Sequence, residues 1–201
     1  MADFDRIAAS YNHLKKIVFY GQVELASRHF VENIPPSSEV LIIGGGTGQL
    51  LAHFKSTHQI NYLELSRSMI NKAKKVTTDA SIEFIHTDVL EWESDKRFDV
   101  IVTPFILDCF NEDSLNLLIP KLKSNLSQGG IWIHTDFCPK NAFQKLLVKA
   151  MYLFFRITAK LKVKELADFD SLFIKHGFIC KRKVLFYHSM VESKIYQQID
   201  G

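Results

Sequence analysis

Three glycines at alternate positions follow a short apolar stretch, and this pattern could bind a nucleoside. The stretch ends at Gly44, Gly46 and Gly48 follow, and an apolar, helix-forming run comes next. This order is typical of a buried parallel strand that turns into a helix around a ligand, because glycine lets the backbone approach where a Cβ would collide. We expect the helix at 47–56, with its first N–H groups directed at the ligand.

An acid at the end of the next apolar stretch indicates which nucleoside is bound. Glu64 closes the expected strand 60–64, and a carboxylate there can accept hydrogen bonds from both ribose hydroxyls. The glycine spacing is G-x-G-x-G, and Gln49 stands where a dinucleotide-binding G-x-G-x-x-G would need glycine. Glycines with one acid also occur in ordinary strand–helix turns and in dinucleotide sites, so both alternatives stay open at this point.

Composition and charge restrict the class of protein. The chain has 201 residues, which suggests one domain, with 47% hydrophobic and 23% charged residues, as in globular proteins. A net charge of +3 is too small to indicate nucleic acid binding without a clustered patch. Three cysteines without a C-x-x-C pair favour a reducing compartment, and the start lacks the apolar segment of a signal peptide. We therefore expect a cytoplasmic protein, and the histidine spacing predicts no metal site.

The order of apolar stretches predicts the elements that position these residues. Strands are expected at 39–43, 60–64, 82–86, 98–102 and 131–135, with helices at 47–56, 66–76 and 112–126 and a turn at 128–130. A last pair of strands is expected at 178–187 and 189–196. The alternation predicts an α/β fold, a Rossmann-like, doubly wound, mostly parallel seven-stranded sheet with a C-terminal antiparallel hairpin, in three αβα layers.

A basic amphipathic helix is expected at 141–160. Its apolar stripe would consist of Phe143, Leu147, Ala150, Phe154, Ile157 and Leu161, and its basic face of Lys145, Lys149, Arg156 and Lys160. The helix could pack over the sheet, wall an apolar acceptor pocket, or make weak contact with an anionic membrane surface. The segment 4–33 is predicted to form two helices with a break around 20–21. A short helix is predicted at 168–176.

With these motifs in order, the chain resembles the class I S-adenosylmethionine-dependent methyltransferases, and more narrowly the ubiquinone/menaquinone-biosynthesis methyltransferase group. The matching segments are 40–48, 62–69, 86–89, 98–108 and 122–130, and 4–12 is similar to the family's N-terminal lid. The resemblance implies S-adenosylmethionine as cofactor and a single domain over 1–201, with an N-terminal helical lid at 1–34 and a helical insertion at 137–170.

The resemblance also implies roles for individual residues. The cofactor-binding set would be Gly44, Gly45, Gly46, Thr47, Gly48, Glu64, Leu65, Asp88, Val89 and Thr103. Within it, Glu64 would hold the ribose, Asp88 the adenine amino group, and the Val89 amide would meet the ring. Asp108 is the best candidate for a general base, and Tyr11 would lie near the amino-acid end of the donor.

The chain departs from the family pattern at Ile42, at Pro104, where asparagine is frequent, and at Asp108 and Cys109. Ile42 stands where the family usually has an acid, which removes one polar support of the glycine loop. Asp108 and Cys109 replace a common histidine pair, so a histidine base there is in doubt. Asp108, His134 and Asp136 could converge at the carboxyl edge of the sheet, although Asp108 could equally cap a helix and His134 fits a satisfied core histidine.

The expected function is methyl transfer from S-adenosylmethionine to a small, apolar or aromatic acceptor of quinone or lipid type. Two alternatives stay open: a nicotinamide-dependent oxidoreductase, and a protein that binds S-adenosylmethionine without catalysis. Nucleic acid is not expected as a partner, and weak membrane contact through 141–160 is one of the three interpretations of that helix.

Overall fold

Seven strands form one sheet in the order β3-β2-β1-β4-β5-β7-β6 within the residues that the computed structural model describes, 21–158, 163 and 166–199. The strands are β1 (Glu39–Ile43), β2 (Gln59–Glu64), β3 (Ser81–His86), β4 (Phe98–Pro104), β5 (Leu126–Phe137), β6 (Phe178–Phe186) and β7 (Val191–Gln198). Strands β1 to β5 run parallel, whereas β7 pairs antiparallel with both β5 and β6. The predicted mostly parallel sheet with a C-terminal antiparallel hairpin is confirmed.

Five helices flank the described sheet, and side-chain caps fix where four of them begin. They are α1 (Gln22–Arg28), α2 (Arg67–Ala73), α3 (Glu112–Ser124), α4 (Ala142–Thr158) and α5 (Phe169–Lys175). The side chains of Ser66, Asn111 and Asp168 accept hydrogen bonds from amides in the first turns of α2, α3 and α5. The Asn141 side chain accepts from the Gln144 amide at the start of α4. These caps satisfy N–H groups that have no partner within the helix.

The two faces of the sheet carry separate cores. Leu41 and Ile43 of β1 pack on one face with α3 and α5, while Val40 and Ile42 pack on the other with residues around α1 and α2. Successive strand side chains point to opposite faces, so an uninterrupted apolar β1 can serve both cores. The expected three-layer αβα arrangement follows.

The helix expected at 47–56 is a short 3₁₀ turn, Gln49–His53. Gly48 has a φ of 78°, so the backbone is still left-handed one residue before that turn. The five-residue turn provides no long N-terminus to direct at a ligand, and that part of the prediction is wrong.

The start of β5 also differs from the prediction. The strand begins at Leu126 and includes the glycine pair that was expected to form a turn at 128–130, with Gly129 at a φ of 75°. Helix α3 ends earlier, at Ser124, and Asn125 caps it. A register shift between β4 and β5 near Phe98 accommodates the irregular start.

The buried face of α4 is shifted by one position from the expected stripe. Gln144, Val148 and Met151 are buried, whereas Phe143 is 75% exposed and Ala150 is exposed. The Gln144 side chain accepts from the Lys140 amide at 2.7 Å and donates to the His188 carbonyl at 2.9 Å. These bonds hold the Gln144 face of the helix toward the rest of the protein. The buried residues 144, 148 and 151 have the same helical spacing as the expected stripe. The periodicity of the sequence therefore fits both faces and cannot tell which one is buried.

Part of the predicted lid lies in the described chain. Gly21, with a φ of 76°, precedes α1, which agrees with the expected break at 20–21. Tyr11, the rest of 1–20 and the positions 159–162 and 164–165 lie outside the described residues. Within the described residues no helix combines the length and apolar character needed to cross a membrane.

Removing Phe173 should expose how strongly α5 is attached to the sheet. Its fully buried ring stacks on Tyr196 at a centroid distance of 4.0 Å and meets the edge of Trp132 at 5.0 Å. Phe173→Ala should lower the free energy of unfolding by about 3–5 kcal/mol in urea denaturation. The neighbouring Ile174 is 63% exposed, so Ile174→Ala is the matched control. Equal losses for the two variants would contradict the packing described for α5.

Candidate functional site

The glycine loop after β1 is tied to the end of β2 by a carboxylate. The Gly46 amide donates to Oε2 of Glu64 at 3.0 Å, and the Ser66 amide donates to Oε1 at 2.9 Å. Glu64 is only 8% exposed, and a buried carboxylate needs such donors. The structure therefore brings together the two sequence features from which a ribose site was predicted.

The loop leaves room on its outer side. A Cβ built on Gly46 would meet no atom of the described residues within 4 Å, although its φ of 64° disfavours any other residue. At Gly48 the situation is reversed, because a Cβ would lie 2.8 Å from Cα of Ala73 in α2. Gly48 thus permits close packing of the loop against α2, while Gly46 borders open space. Thr47, between them, is half-buried.

The end of β3 lies beside the end of β2. The Thr87 amide donates to the Glu64 carbonyl at 3.2 Å, and the His86 ring bonds the Leu65 carbonyl at 2.8 Å. These bonds hold the neighbouring strand ends in register.

Asp88 and Val89 follow directly after β3. The Asp88 carboxylate accepts from the Leu90 amide at 3.0 Å and is half-buried, while Val89 is buried. Asp88 thus has a local turn role alongside the role expected at the cofactor.

The Thr103 side chain points into the core. Trp132 donates its indole N–H to the Thr103 hydroxyl at 2.9 Å, and that hydroxyl lies 3.2 Å from Nδ1 of His134. Thr103 and His134 are both fully buried, which leaves the backbone of Thr103 as its means of contact with a ligand.

His134 is a core residue, as expected, although it is not fully satisfied. Among the described residues no group hydrogen-bonds its Nε2. Burial, with a smaller effect from the Lys194 cation, lowers the pKa of His134 to about 3. The imidazole is therefore neutral and packs edge-on against Phe169 in the apolar layer.

Asp108 and Asp136 do converge at the carboxyl edge of the sheet. The Asp108 amide donates to Oδ2 of Asp136 at 3.3 Å, and the Phe137 amide donates to Oδ1 at 2.9 Å. Burial, and then the negative charge of Asp108, raise the pKa of Asp136 well above its usual range. Asp108 lies in the 3₁₀ turn Leu107–Cys109, and Asn111 caps α3, so the helix-cap interpretation of Asp108 is wrong.

A cavity of about 520 Å³ lies between α4, α5, the end of β5 and the start of β7, and Phe137, the residue after Asp136, lines it. Its lining combines apolar side chains with lysines and acids. The apolar side chains are Phe137, Val148, Leu166, Ala167 and Phe169, with Cys138 and Pro139 beside them. The charged side chains are Lys140, Lys145, Lys149, Lys194, Asp168, Asp170 and Glu192. The size lies in the range of small-molecule pockets. The pattern of the sequence did not predict this cavity, because its walls come from four separate elements.

A buried ion network forms one wall of the cavity. Lys194, which is 1% exposed, donates to Asp170 at 2.7 Å and also to Glu192, and Lys183 pairs with Glu192 at 2.9 Å. Each buried charge in this wall has an opposite partner, and removing one partner would leave an uncompensated buried charge. Across the described residues, no cluster of histidine, cysteine and acidic side chains is arranged to hold a metal ion.

The doubly wound sheet, with a glycine loop braced by a strand-end acid, defines an α/β protein with a nucleoside-type site at the carboxyl edge. Residues 40–130, which include the loop, Glu64, Asp88 and Asp108, match the family described as "Methyltransferase domain". The predicted resemblance to the class I S-adenosylmethionine-dependent methyltransferases is therefore confirmed over this part of the chain.

Two curated relatives support this assignment. The malonyl-[acyl-carrier protein] O-methyltransferase of Priestia megaterium is 30% identical over 144 residues, covering 67% of this chain and 52% of the relative. A ubiquinone/menaquinone biosynthesis C-methyltransferase of Hydrogenovibrio crunogenus is 25% identical over 158 residues, covering 73% and 61%. The chain thus spans between half and two thirds of the length of these relatives.

Solved structures share the fold. A complex named DhpI–SAH superposes with a TM-score of 0.73 at 16% identity, covering 97% of this chain and 93% of the other. The magnesium protoporphyrin IX methyltransferase of Synechocystis, solved with bound SAH, gives a TM-score of 0.64 at 18% identity, covering 87% and 80%. At these identities the likeness supports the fold.

The Asp108–Asp136 pair should give the chain a recognisable pH dependence. Because the folded state holds the Asp136 proton more tightly than the unfolded chain, the resulting stabilisation is complete below the ordinary pKa of 3.8. It is lost as the pH rises through the raised pKa of the folded state. Asp136→Asn cannot titrate, so its free energy of unfolding should fall less than that of the wild type between pH 4 and pH 8.

Urea unfolding at a series of pH values measures this difference. Asp108→Asn, which removes the second cause of the shift, should fall between the wild type and Asp136→Asn. Parallel pH profiles for all three proteins would show that Asp136 is not held in its protonated form.

Proposed function

We propose that this protein transfers the methyl group of S-adenosylmethionine to a small acceptor with an apolar or aromatic body. The observation that carries the proposal is the contact between the Glu64 carboxylate and the Gly46 amide, which couples a glycine loop to a ribose-binding acid. The match of residues 40–130 to the methyltransferase domain family supports it. The proposal covers the methyl-transfer activity, the kind of acceptor and a location of the reaction in the cytoplasm.

The residues around the loop fit the cofactor. A carboxylate offers about four lone-pair sites, so Glu64 can accept from ribose hydroxyls while it still accepts from Gly46 and Ser66. The open space beside Gly46 allows a nucleoside to approach the backbone. Asp88 and the amide of Val89 would hold the adenine, and Leu65 would lie beside it.

The bound cofactor supplies a methyl group that is already activated on a sulfonium. The chain therefore contributes mainly position and orientation, which are large effects when two reactants must align. The apolar side chains of Phe105 and Phe137, both buried near the carboxyl edge, would exclude water from the reacting groups.

We assign the acceptor to the cavity beside β5. Its apolar wall, with Phe137 and Phe169, would contact the body of the acceptor. Lys140, Lys145 and Lys149 are exposed at its mouth and could bind a polar or anionic substituent. Of the three interpretations of α4, this assignment adopts the one in which the helix walls the acceptor pocket. Membrane contact through 141–160 stays a prediction, because the side chains of 156 and 160 lie outside the described residues.

Asp108 and Asp136 would manage the proton of an acceptor that must lose one. Asp108 is 8% exposed and next to a carboxyl group with a raised pKa, an arrangement that favours one shared proton between two acids. Only in its doubly ionised form is such a pair a stronger base than an isolated carboxylate, because the neighbouring negative charge raises the pKa. Tyr11 keeps its predicted role near the donor, outside the described residues.

The two alternatives differ in their ligands or in turnover. A nicotinamide-dependent oxidoreductase is not favoured, because Gln49 replaces the glycine that its fingerprint needs. A non-catalytic binding protein would bind the same cofactor and transfer no methyl group. The three cysteines, which form no C-x-x-C pair in the sequence, agree with a reducing compartment such as the cytoplasm.

Titration calorimetry tests the cofactor assignment. The wild type should bind S-adenosylmethionine or its demethylated product and should not bind NAD. Glu64→Gln should weaken that binding by about 1.5–3 kcal/mol, the range for hydrogen bonds to a charged group. Glu39→Gln, at the opposite end of the neighbouring strand, is the control and should bind normally. Unchanged affinity in Glu64→Gln would exclude the ribose role.

Filling the cavity tests the acceptor assignment. Ala167 lines the cavity, so Ala167→Phe should abolish transfer of a labelled methyl group into the organic extract of a cell lysate, while cofactor affinity stays within about twofold. Ala150→Phe places the same side chain on the exposed face of α4 and should transfer normally. Full transfer by Ala167→Phe would exclude the cavity as the acceptor site, and label found in nucleotides would contradict a small-molecule acceptor.

A further inference from the structure

Both polar groups of Gly46 are held by side chains of β2. The Tyr62 hydroxyl donates to the Gly46 carbonyl at 2.9 Å, and the Gly46 amide donates to Glu64 at 3.0 Å. Ile42, at the corresponding level of β1, is apolar and fully buried, so it contributes no polar support to the loop. The conformation of the loop depends on β2.

The ring of Tyr62 also explains the middle glycine of the run. A Cβ on Gly45 would lie 2.4 Å from Cε2 and 2.5 Å from the hydroxyl oxygen of Tyr62. Unlike Gly44 and Gly46, Gly45 does not have a positive φ. The need for glycine at 45 is therefore set by contact with one side chain and not by the backbone.

Tyr62 itself has little freedom to move. It is fully buried, and its ring lies 5.3 Å from that of Phe84. Burial, and then the charge of Glu64, raise the pKa of Tyr62 well above 10.0. The phenol is accordingly a neutral O–H donor at any physiological pH.

We propose that Tyr62 is a positioning residue for cofactor binding, whose ring and hydroxyl hold the glycine loop in its binding conformation before the cofactor arrives. In a trans peptide the C=O and the following N–H point in opposite directions. Fixing the Gly46 carbonyl toward Tyr62 therefore turns the Thr47 amide away from the buried ring. A loop fixed in advance avoids part of the entropy cost of binding. This inference rests on the proposed cofactor site.

Tyr62→Phe tests the hydroxyl while keeping the ring. Binding of S-adenosylhomocysteine, measured by calorimetry well below the unfolding temperature, should weaken about three- to tenfold, the loss expected for one neutral hydrogen bond. Ser38→Ala is the matched control. It also removes a buried hydroxyl that donates to a backbone carbonyl, that of Pro35 at 2.7 Å, at the amino end of β1. Its affinity should match the wild type even if its melting temperature falls.

A double-mutant cycle tests the ring. Gly45→Ala should weaken binding in the wild-type background and should cost little more once Tyr62→Leu has removed the ring, so the two losses should not add. If the Tyr62 variants do not fold, Gly45→Ala alone decides the case: its affinity should fall while that of Ser38→Ala stays at the wild-type value.

The outcomes separate this inference from the function on which it rests. A wild type that does not bind S-adenosylhomocysteine contradicts the proposed function itself. Three results would overturn the role of Tyr62 alone in a wild type that does bind. They are an unchanged affinity in Tyr62→Phe, additive losses in the cycle, and an equal loss of affinity in Ser38→Ala.

Discussion

The hydrogen bond from the Gly46 amide to the Glu64 carboxylate is the interaction on which the candidate site depends. It joins the loop after β1 to the end of β2, and the same carboxylate accepts from Ser66, which caps α2. One buried acid thus fixes a loop, a strand end and a helix start relative to one another. Because a buried carboxylate is costly without donors, replacing Glu64 would affect the shape of the loop as well as its ligand.

The parallel sheet brings the other functional groups to the same edge. Asp88 follows β3, Asp108 follows β4, and Asp136 lies near the end of β5, so three acids come from three neighbouring strands. Two of them, Asp108 and Asp136, converge, and burial together with the charge of Asp108 raises the pKa of Asp136. The cavity under α4 then lies on the side of β5 away from the glycine loop, as the sheet order requires. In the proposed function, the donor site at the glycine loop and the acceptor site in the cavity would lie on either side of the Asp108–Asp136 pair.

Sequence reasoning predicted the features that are local or periodic. The apolar strands and the position of the glycine loop and Glu64 at one edge of the sheet follow from patterns within a few residues or from strand–helix alternation. It missed the packing of Tyr62 on Gly45, because that contact depends on the register of two parallel strands. It also misjudged α4, since the bonds of Gln144 to Lys140 and His188 select the buried face from two that fit the same periodicity. The raised pKa of Asp136 follows from burial, which no single residue type reveals.

The most direct test of the central claim is a titration of the ¹⁵N-labelled protein with S-adenosylhomocysteine, followed through backbone amide resonances. If ribose hydroxyls share the Glu64 carboxylate, the Gly46 and Ser66 amides that donate to it should show shifts among the largest in the chain, accompanied by those of Thr47 and Val89. Shifts confined to the cavity side, around Phe137, Lys145 and Val148, with Gly46 and Ser66 unmoved, would contradict the assignment of the cofactor to the glycine loop.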